Sequence, residues 1–124
     1  MARLALGLPE TMERAGQHRQ WRVKDKSVAW ERPLRPADIK ALGDAAPDGP
    51  ILAVHVADLG IKEALLAADA EIYFTTPHFE GYRAILVRLD EIPVPELEEL
   101  IIEAWLDRAP KRTVTAYLDA NTLE

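Results

Sequence analysis

No cysteine occurs anywhere in the 124 residues, which excludes a disulfide, a thiolate nucleophile and a cysteine zinc site. Serine is nearly as scarce. Ser27 is the single one, and it lacks the Gly-x-Ser-x-Gly frame that lifts a serine onto a nucleophile elbow. The three histidines, His18, His55 and His78, are far apart in the chain. None forms the pair one helical turn apart that a zinc site on a helix uses. Neither a Gly-x-x-x-x-Gly-Lys nor a Gly-x-Gly-x-x-Gly phosphate loop is present. The apolar run in MARLALGLPE is too short for a secretory signal, and no stretch nears the roughly 18 apolar residues that span a membrane. The expectation is a cytoplasmic protein with no membrane association, no metal, no cofactor and no catalytic residue.

With 48% hydrophobic residues, the chain suits a single domain over residues 1–124 around one core. Its net charge of -6 is unevenly spread. Residues 1–40 hold nine Lys/Arg against five Asp/Glu, and residues 41–124 hold six against sixteen. Such asymmetry has two readings: a polyanionic partner for the basic part, or neutralisation of one half by the other in the fold.

Periodicity divides the chain. A short helix is expected around Leu4–Leu8, stopped by Gly7 and Pro9. Arg19–Lys24 and Ser27–Arg32 both alternate, giving an antiparallel hairpin turning at Asp25-Lys26. Trp21, Val23, Val28 and Trp30 face inward, while Arg22 and Lys24 face out. The proline-rich stretch 33–50 is a long connection with one helical turn over Ala37–Leu42. Ile51–Val56 is a strand, and Asp58 is placed to cap a helix whose apolar face is Ile61, Ala64, Leu65 and Ala68. Strands follow at Ile72–Thr75 and Ala84–Leu89. Pro95 opens the most regular helix, with Leu97, Leu100, Ile101, Ala104 and Trp105 on one side and Glu98, Glu99, Glu103 and Asp107 on the other. Pro110 starts a last helix with Val114, Tyr117 and Leu118.

The order α-β-β-β-α-β-β-α-α, with hairpins not separated by helices, predicts an α+β fold. It is a two-layer arrangement: an antiparallel sheet of about five strands with helices on one face. Trp30, Leu65, Val87, Leu97, Ile101 and Trp105 form the expected core.

Few residues carry chemistry. His55 reads as a hydrogen-bonded sheet residue, and Glu98, Glu99 and Glu103 as a solvated helix face. Lys111 and Arg112 open the last helix, where positive charge opposes the dipole by about 0.3–1 kcal/mol each. Either an acid such as Asp107 compensates them, or they bind an anion together with the helix N-terminus.

The stretch Thr76-Pro77-His78-Phe79 with Gly81-Tyr82, and Ala104-Trp105 with Ala109-Pro110-Lys111-Arg112, resembles the MmcQ/YjbR family of small bacterial proteins. The resemblance covers nearly the whole chain. It implies a fold like that of type III secretion chaperones, no established enzymatic activity or cofactor, and DNA binding through a double-wing arrangement of strands. The hairpin is the natural wing, with Arg19, Arg22, Lys24, Lys26 and Arg32 on phosphates, and a charge of -6 makes weak binding the expectation. Thr76, Pro77, His78, Phe79, Gly81, Tyr82 and Trp105 read as structural. Pro77 and Gly81 shape a turn, Phe79 and Tyr82 pin it to the core, and His78 with the threonines satisfies its backbone. The alternative is an interaction module that holds a protein or small ligand and has no nucleic-acid role. Acids interleaved among the arginines favour that alternative. A monomer is the simpler expectation, and the sequence leaves the oligomeric state open.

Overall fold

The computed structural model describes residues 8, 10–14, 18–43 and 49–121. The helix expected around Leu4–Leu8 lies outside them, Leu8 excepted. Among the described residues there are six strands: β1 (Thr11–Arg14), β2 (Gln20–Val23), β3 (Lys26–Glu31), β4 (Ile51–His55), β5 (Tyr73–Phe74) and β6 (Ala84–Arg88). They form one antiparallel sheet in the order β1-β2-β3-β4-β6-β5. Four helices accompany it among the described residues: α1 (Pro36–Leu42), α2 (Leu59–Ala68), α3 (Val94–Arg108) and α4 (Lys111–Asn121). The fold is α+β, as the order of elements predicts.

The sixth strand is β1, which the sequence gives no reason to expect. Thr11-Met12-Glu13-Arg14 has no apolar alternation, and Met12 is 72% exposed. The strand exists because β2 offers it a ladder, from Thr11 opposite Val23 to Arg14 opposite Gln20.

The hairpin turns one residue earlier than expected. Val23 pairs with Lys26, and Lys24 and Asp25 both have positive φ, 47° and 68°. Two consecutive left-handed residues define the type I′ turn that matches strand twist. Further along, Trp21 faces Ala29 and Arg22 faces Ser27, so Val28 is an extra residue. This bulge puts Val28 and Ala29 in one cluster with Trp21 and Val23. Trp30 is thereby sent to the opposite face, against a second cluster of Ile51, Ala53, Phe74, Phe79, Ala84 and Leu86. The shared inward face expected for Val28 and Trp30 is corrected by this one inserted residue.

The main core lies between the sheet and α3. Leu52, Val54, Ile85 and Val87 of the sheet meet Leu97, Ile101, Ala104 and Trp105, none more than 7% exposed. That is the helical period read from the sequence. Trp105 is fully buried and meets Tyr117 of α4 edge-on at 4.9 Å. Trp30 and Leu65, expected in the core, are only partly buried at its margins. The second, smaller cluster is closed by Leu34 and by Leu42 of α1. Covered on both sides, β4 is buried along its whole length.

The Asp58 cap forms as expected, its Oδ1 accepting from the Ile61 N–H at 2.8 Å. The helix it starts is turned differently. Ile61 is 43% exposed, whereas Lys62 is buried.

The type I′ turn contains neither asparagine nor glycine, the residues that tolerate its angles at least cost. Replacing Lys24-Asp25 by Asn-Gly is expected to stabilise the protein by about 0.5–1 kcal/mol. A rise in urea midpoint without a change of slope checks this, and a fall would show that the Lys24 contacts outweigh the relief of backbone strain.

Candidate functional site

Four of the five basic residues expected on the wing are already engaged. Arg19 meets Glu31 in an ion pair at 3.3 Å, and its backbone N–H donates to the same carboxylate at 2.8 Å. Lys24 pairs with Glu10 at 3.3 Å, and the Arg22 guanidinium donates to the Asp25 carbonyl. Arg32 is not on the outer face at all. It is 7% exposed, pairs with the buried Asp38 at 3.2 Å and donates to the Pro33 carbonyl at 2.6 Å. Lys26 is exposed at the hairpin tip.

Asp38 is the anchor of this region. Burial pushes its carboxyl up. The Arg35 N–H at 2.9 Å and the Arg32 guanidinium outweigh that and hold it below the usual carboxylate range. Arg32 in turn lies over the Phe79 ring, 5.2 Å from its centroid. The chain from Arg32 to Asp38 is thus fastened to the motif turn.

That turn, Pro77–Phe79, is a single 3-10 turn, followed by Gly81 at φ 74°. Pro77 and Gly81 shape it as expected, since a positive φ there favours glycine. Phe79 is buried, but Tyr82 is 52% exposed and only touches Phe79 edge-on at 5.8 Å. The expectation that Tyr82 pins the turn to the core is corrected. The turn's backbone is satisfied differently too. Lys62 sends its ammonium to the Phe79 carbonyl at 2.5 Å and the Tyr82 carbonyl at 2.9 Å. Burial lowers the Lys62 pKa and Glu80 partly offsets this. The Thr75 and Thr76 hydroxyls are both buried without a hydrogen-bond partner, which corrects the expectation that the threonines satisfy the turn's backbone. The His78 side chain lies outside the described part of the structure.

Sequence reasoning missed Lys62. Its signal was slight: a lone lysine beside an apolar helix face, which ordinarily points to solvent.

Between the hairpin and this turn opens a cleft of about 690 Å³. Gln20, Trp30 and Glu31 form one side, Arg32 to Pro36 another, and Phe79 with Tyr82 the third. Its volume falls within the roughly 300–1,000 Å³ of small-molecule sites. A second, smaller cleft of about 280 Å³ lies against α2 and α3, where Ile61, Leu65 and Leu100 meet Glu96, Glu99 and Glu103. Glu96 accepts from the Tyr73 hydroxyl at 2.7 Å, and burial followed by that carboxylate raises Tyr73 well above its ordinary value.

His55 is a hydrogen-bonded sheet residue, as expected. Its Nε2–H donates to Asp107 Oδ2 at 2.5 Å, while Nδ1 is buried without a partner. Asp107 is therefore engaged away from Lys111 and Arg112. The acid near the start of α4 is Glu10, which accepts from the Thr113 hydroxyl and pairs with Lys24. Its pKa is lowered first by Thr113, then by Lys24 and by the charge of Arg112, against the raising effect of burial. Lys111 and Arg112 are both exposed. Trp105 belongs to the core.

The YjbR family model matches residues 6–106. Uncharacterized proteins Rv2570 of Mycobacterium tuberculosis and Mb2600 of Mycobacterium bovis are each 54% identical over 121 residues, 95% of this chain and 92% of theirs. The crystal structure of Deinococcus radiodurans protein DR2400, family-model domain DUF419, aligns with a TM-score of 0.65. It covers 99% of this chain and 86% of that one at 20% identity, a likeness of fold.

Two outcomes test the site's construction. Lys62→Met leaves the Phe79 and Tyr82 carbonyls without their side-chain donor, with an expected loss of about 1–3 kcal/mol in urea unfolding. An unchanged midpoint would show that the ammonium does not hold the turn. For His55, burial depresses the pKa, Asp107 opposes this, and Arg108 and Arg83 add to the depression. The unfolded chain therefore takes up a proton before the folded one does. Stability is full above the unfolded histidine pKa of about 6.5 and falls as pH drops from there through the folded value. Melting temperature is expected to decline between about pH 7 and pH 5.5 more steeply in the parent than in His55→Gln.

Proposed function

The chain belongs to the YjbR family, and from that premise we propose that it is a non-enzymatic binding module. It holds a small ligand or a peptide in the cleft between the hairpin and the 77–82 turn and works in the cytoplasm. One observation carries this reading. Arg19, Lys24 and Arg32 are each paired with an acid, while beside them a cleft presents aromatic surface from Trp30 and Tyr82. A duplex-binding wing needs its cations free for phosphates. Here three of them would first have to leave their carboxylates, and that cost weakens any hold on a phosphate.

The non-enzymatic part rests on the same kind of observation. His55 and Asp107 make an acid–base pair, but the outer nitrogen of His55 is buried with no nucleophile against it. The Ser27 carbonyl accepts from the Arg108 side chain at 3.2 Å, tying that segment to α3. Among the described residues, no helix is long and apolar enough to cross a membrane.

DNA binding through the hairpin is the second reading, favoured by the exposure of Lys26 at the tip and the closeness of Lys24 and Arg22. The two separate cleanly in a salt titration. Some four free phosphate contacts give a slope of log affinity against log salt near -3 to -4, at about 0.9 per phosphate. For a cleft-binding module, labelled duplex DNA and RNA are expected to show no saturable binding up to about 10⁻⁴ M protein, the weak end of ordinary non-specific complexes. A slope near -3 to -4, abolished when Arg22, Lys24 and Lys26 all become Gln, would overturn the module reading in favour of the wing.

A further inference from the structure

We propose that the cleft takes a planar ring compound bearing one anionic group, an inference that rests on the cleft being the binding site. Local charge points this way first. Of the charged residues lining the cleft, Arg32 is held by Asp38 and Glu31 by Arg19, which leaves Arg35 as the cation with no ion pair among the described residues. Three other clefts carry more acid than base. Glu96, Glu99 and Glu103 line one, Glu10, Glu13 and Asp25 outnumber Arg22 and Lys24 in another, and Glu31 stands without a Lys or Arg in the third. With a net charge of -6 screened over about 8 Å at physiological salt, the nearest groups decide what enters.

The acids at this cleft, moreover, are already used. Both oxygens of Glu31 receive donors from Arg19, at 2.8 and 3.3 Å. Oδ2 of Asp38 receives Arg32 and the Arg35 backbone N–H. Among the described residues, no uncommitted carboxylate lines the cleft for a cationic ligand. Arg35, exposed at the mouth, offers a planar fork of donors that suits carboxylate or sulfonate oxygens.

Aromatic surface completes the site. Tyr82 is 52% exposed although its neighbour Phe79 is buried, and Trp30 is half-buried on the facing wall. Rings presented from two sides favour a flat ligand that stacks or meets them edge-on. The anionic group then lies toward Arg35 and the ring toward Tyr82 and Trp30.

The test uses the full chain, followed by two-dimensional NMR during titration with phenylacetate, phenylacetamide, phenethylamine and cyclohexylacetate. Phenylacetate is expected to move the Trp30 indole N–H and the Tyr82 and Arg35 amides, and to bind at least about fivefold tighter than the amide, a preference of about 1 kcal/mol. Arg35→Gln should erase that preference, and Tyr82→Ala should weaken acid and amide alike. The inference is overturned if the amide or the amine binds as well as the acid, if cyclohexylacetate matches phenylacetate, or if Arg35→Gln keeps the preference. Should short peptides move these resonances and no ring compound do so, the ligand class is wrong while the module reading survives. If neither moves them, both fall.

Discussion

An ammonium group carried by α2 reaches across to the backbone of the 77–82 turn, and the arrangement around the cleft hangs on that reach. Lys62 is 5% exposed and donates to the carbonyls of Phe79 and Tyr82. Each carbonyl also accepts a backbone N–H, from Tyr82 at 3.0 Å and from Ala84 at 2.8 Å, so the ammonium is a second, charged donor that ties the turn to α2. Holding them fixes where the Phe79 ring lies, and the ring is the surface on which the Arg32 guanidinium rests. Arg32 then holds Asp38, and Asp38 holds the start of α1 through the Arg35 N–H. Four links, three of them charge-assisted, tie α2 to α1 across the small core. A buried pair such as Arg32–Asp38 is weak evidence of stability in itself, because desolvation offsets much of the attraction. Its clearer effect is directional, since few other arrangements satisfy every donor.

Among the described residues, the Lys/Arg ion pairs of the first 40 residues are local. The two halves of the chain were open to neutralising each other, but Arg19–Glu31, Lys24–Glu10 and Arg32–Asp38 all lie inside the basic half. The excess acid of the second half stays largely on the surface, with Glu96, Glu99 and Glu103 around the smaller cleft. The exposed pairs, Arg19–Glu31 and Lys24–Glu10, contribute little to folding. They do alter what the hairpin offers a partner, because a cation already facing a carboxylate attracts a phosphate less.

How legible this was depends on the range of the forces involved. The periodicity of Leu97, Ile101, Ala104 and Trp105 placed α3 correctly because a long helix averages many local choices into one apolar stripe. Asp58 was readable because a cap is a contact three residues long. β1 was not readable, since Thr11–Arg14 becomes a strand only through the ladder that β2 supplies. The Val28 bulge was invisible for a similar reason. One inserted residue leaves the alternation of the sequence intact and changes which face Trp30 occupies. Asp107 misled, and Lys62 went unread, for a third reason. Each sits on a helix where local pattern assigns it to solvent or to a near neighbour, yet its partner comes from a distant segment. The motif turn was visible in the sequence; the cleft beside it emerges only in the folded chain, because its walls come from three separated stretches.

The consequence for function is one of preorganisation. A turn fixed by Lys62, a proline at its start and a glycine at φ 74° has little conformational freedom left to lose on binding. Ordering a side chain at an interface costs about 0.5–1.5 kcal/mol, and Tyr82, exposed on its ring but fixed at its backbone, bears only the side-chain part of that cost. Had the turn been held by Tyr82 itself, burying that ring in the core would have removed it from the cleft. Because the ammonium does the holding, the tyrosine is free to face a ligand. The placement of a buried lysine behind the turn and an exposed aromatic in front of it is thus a division of labour between fixing the backbone and presenting a surface.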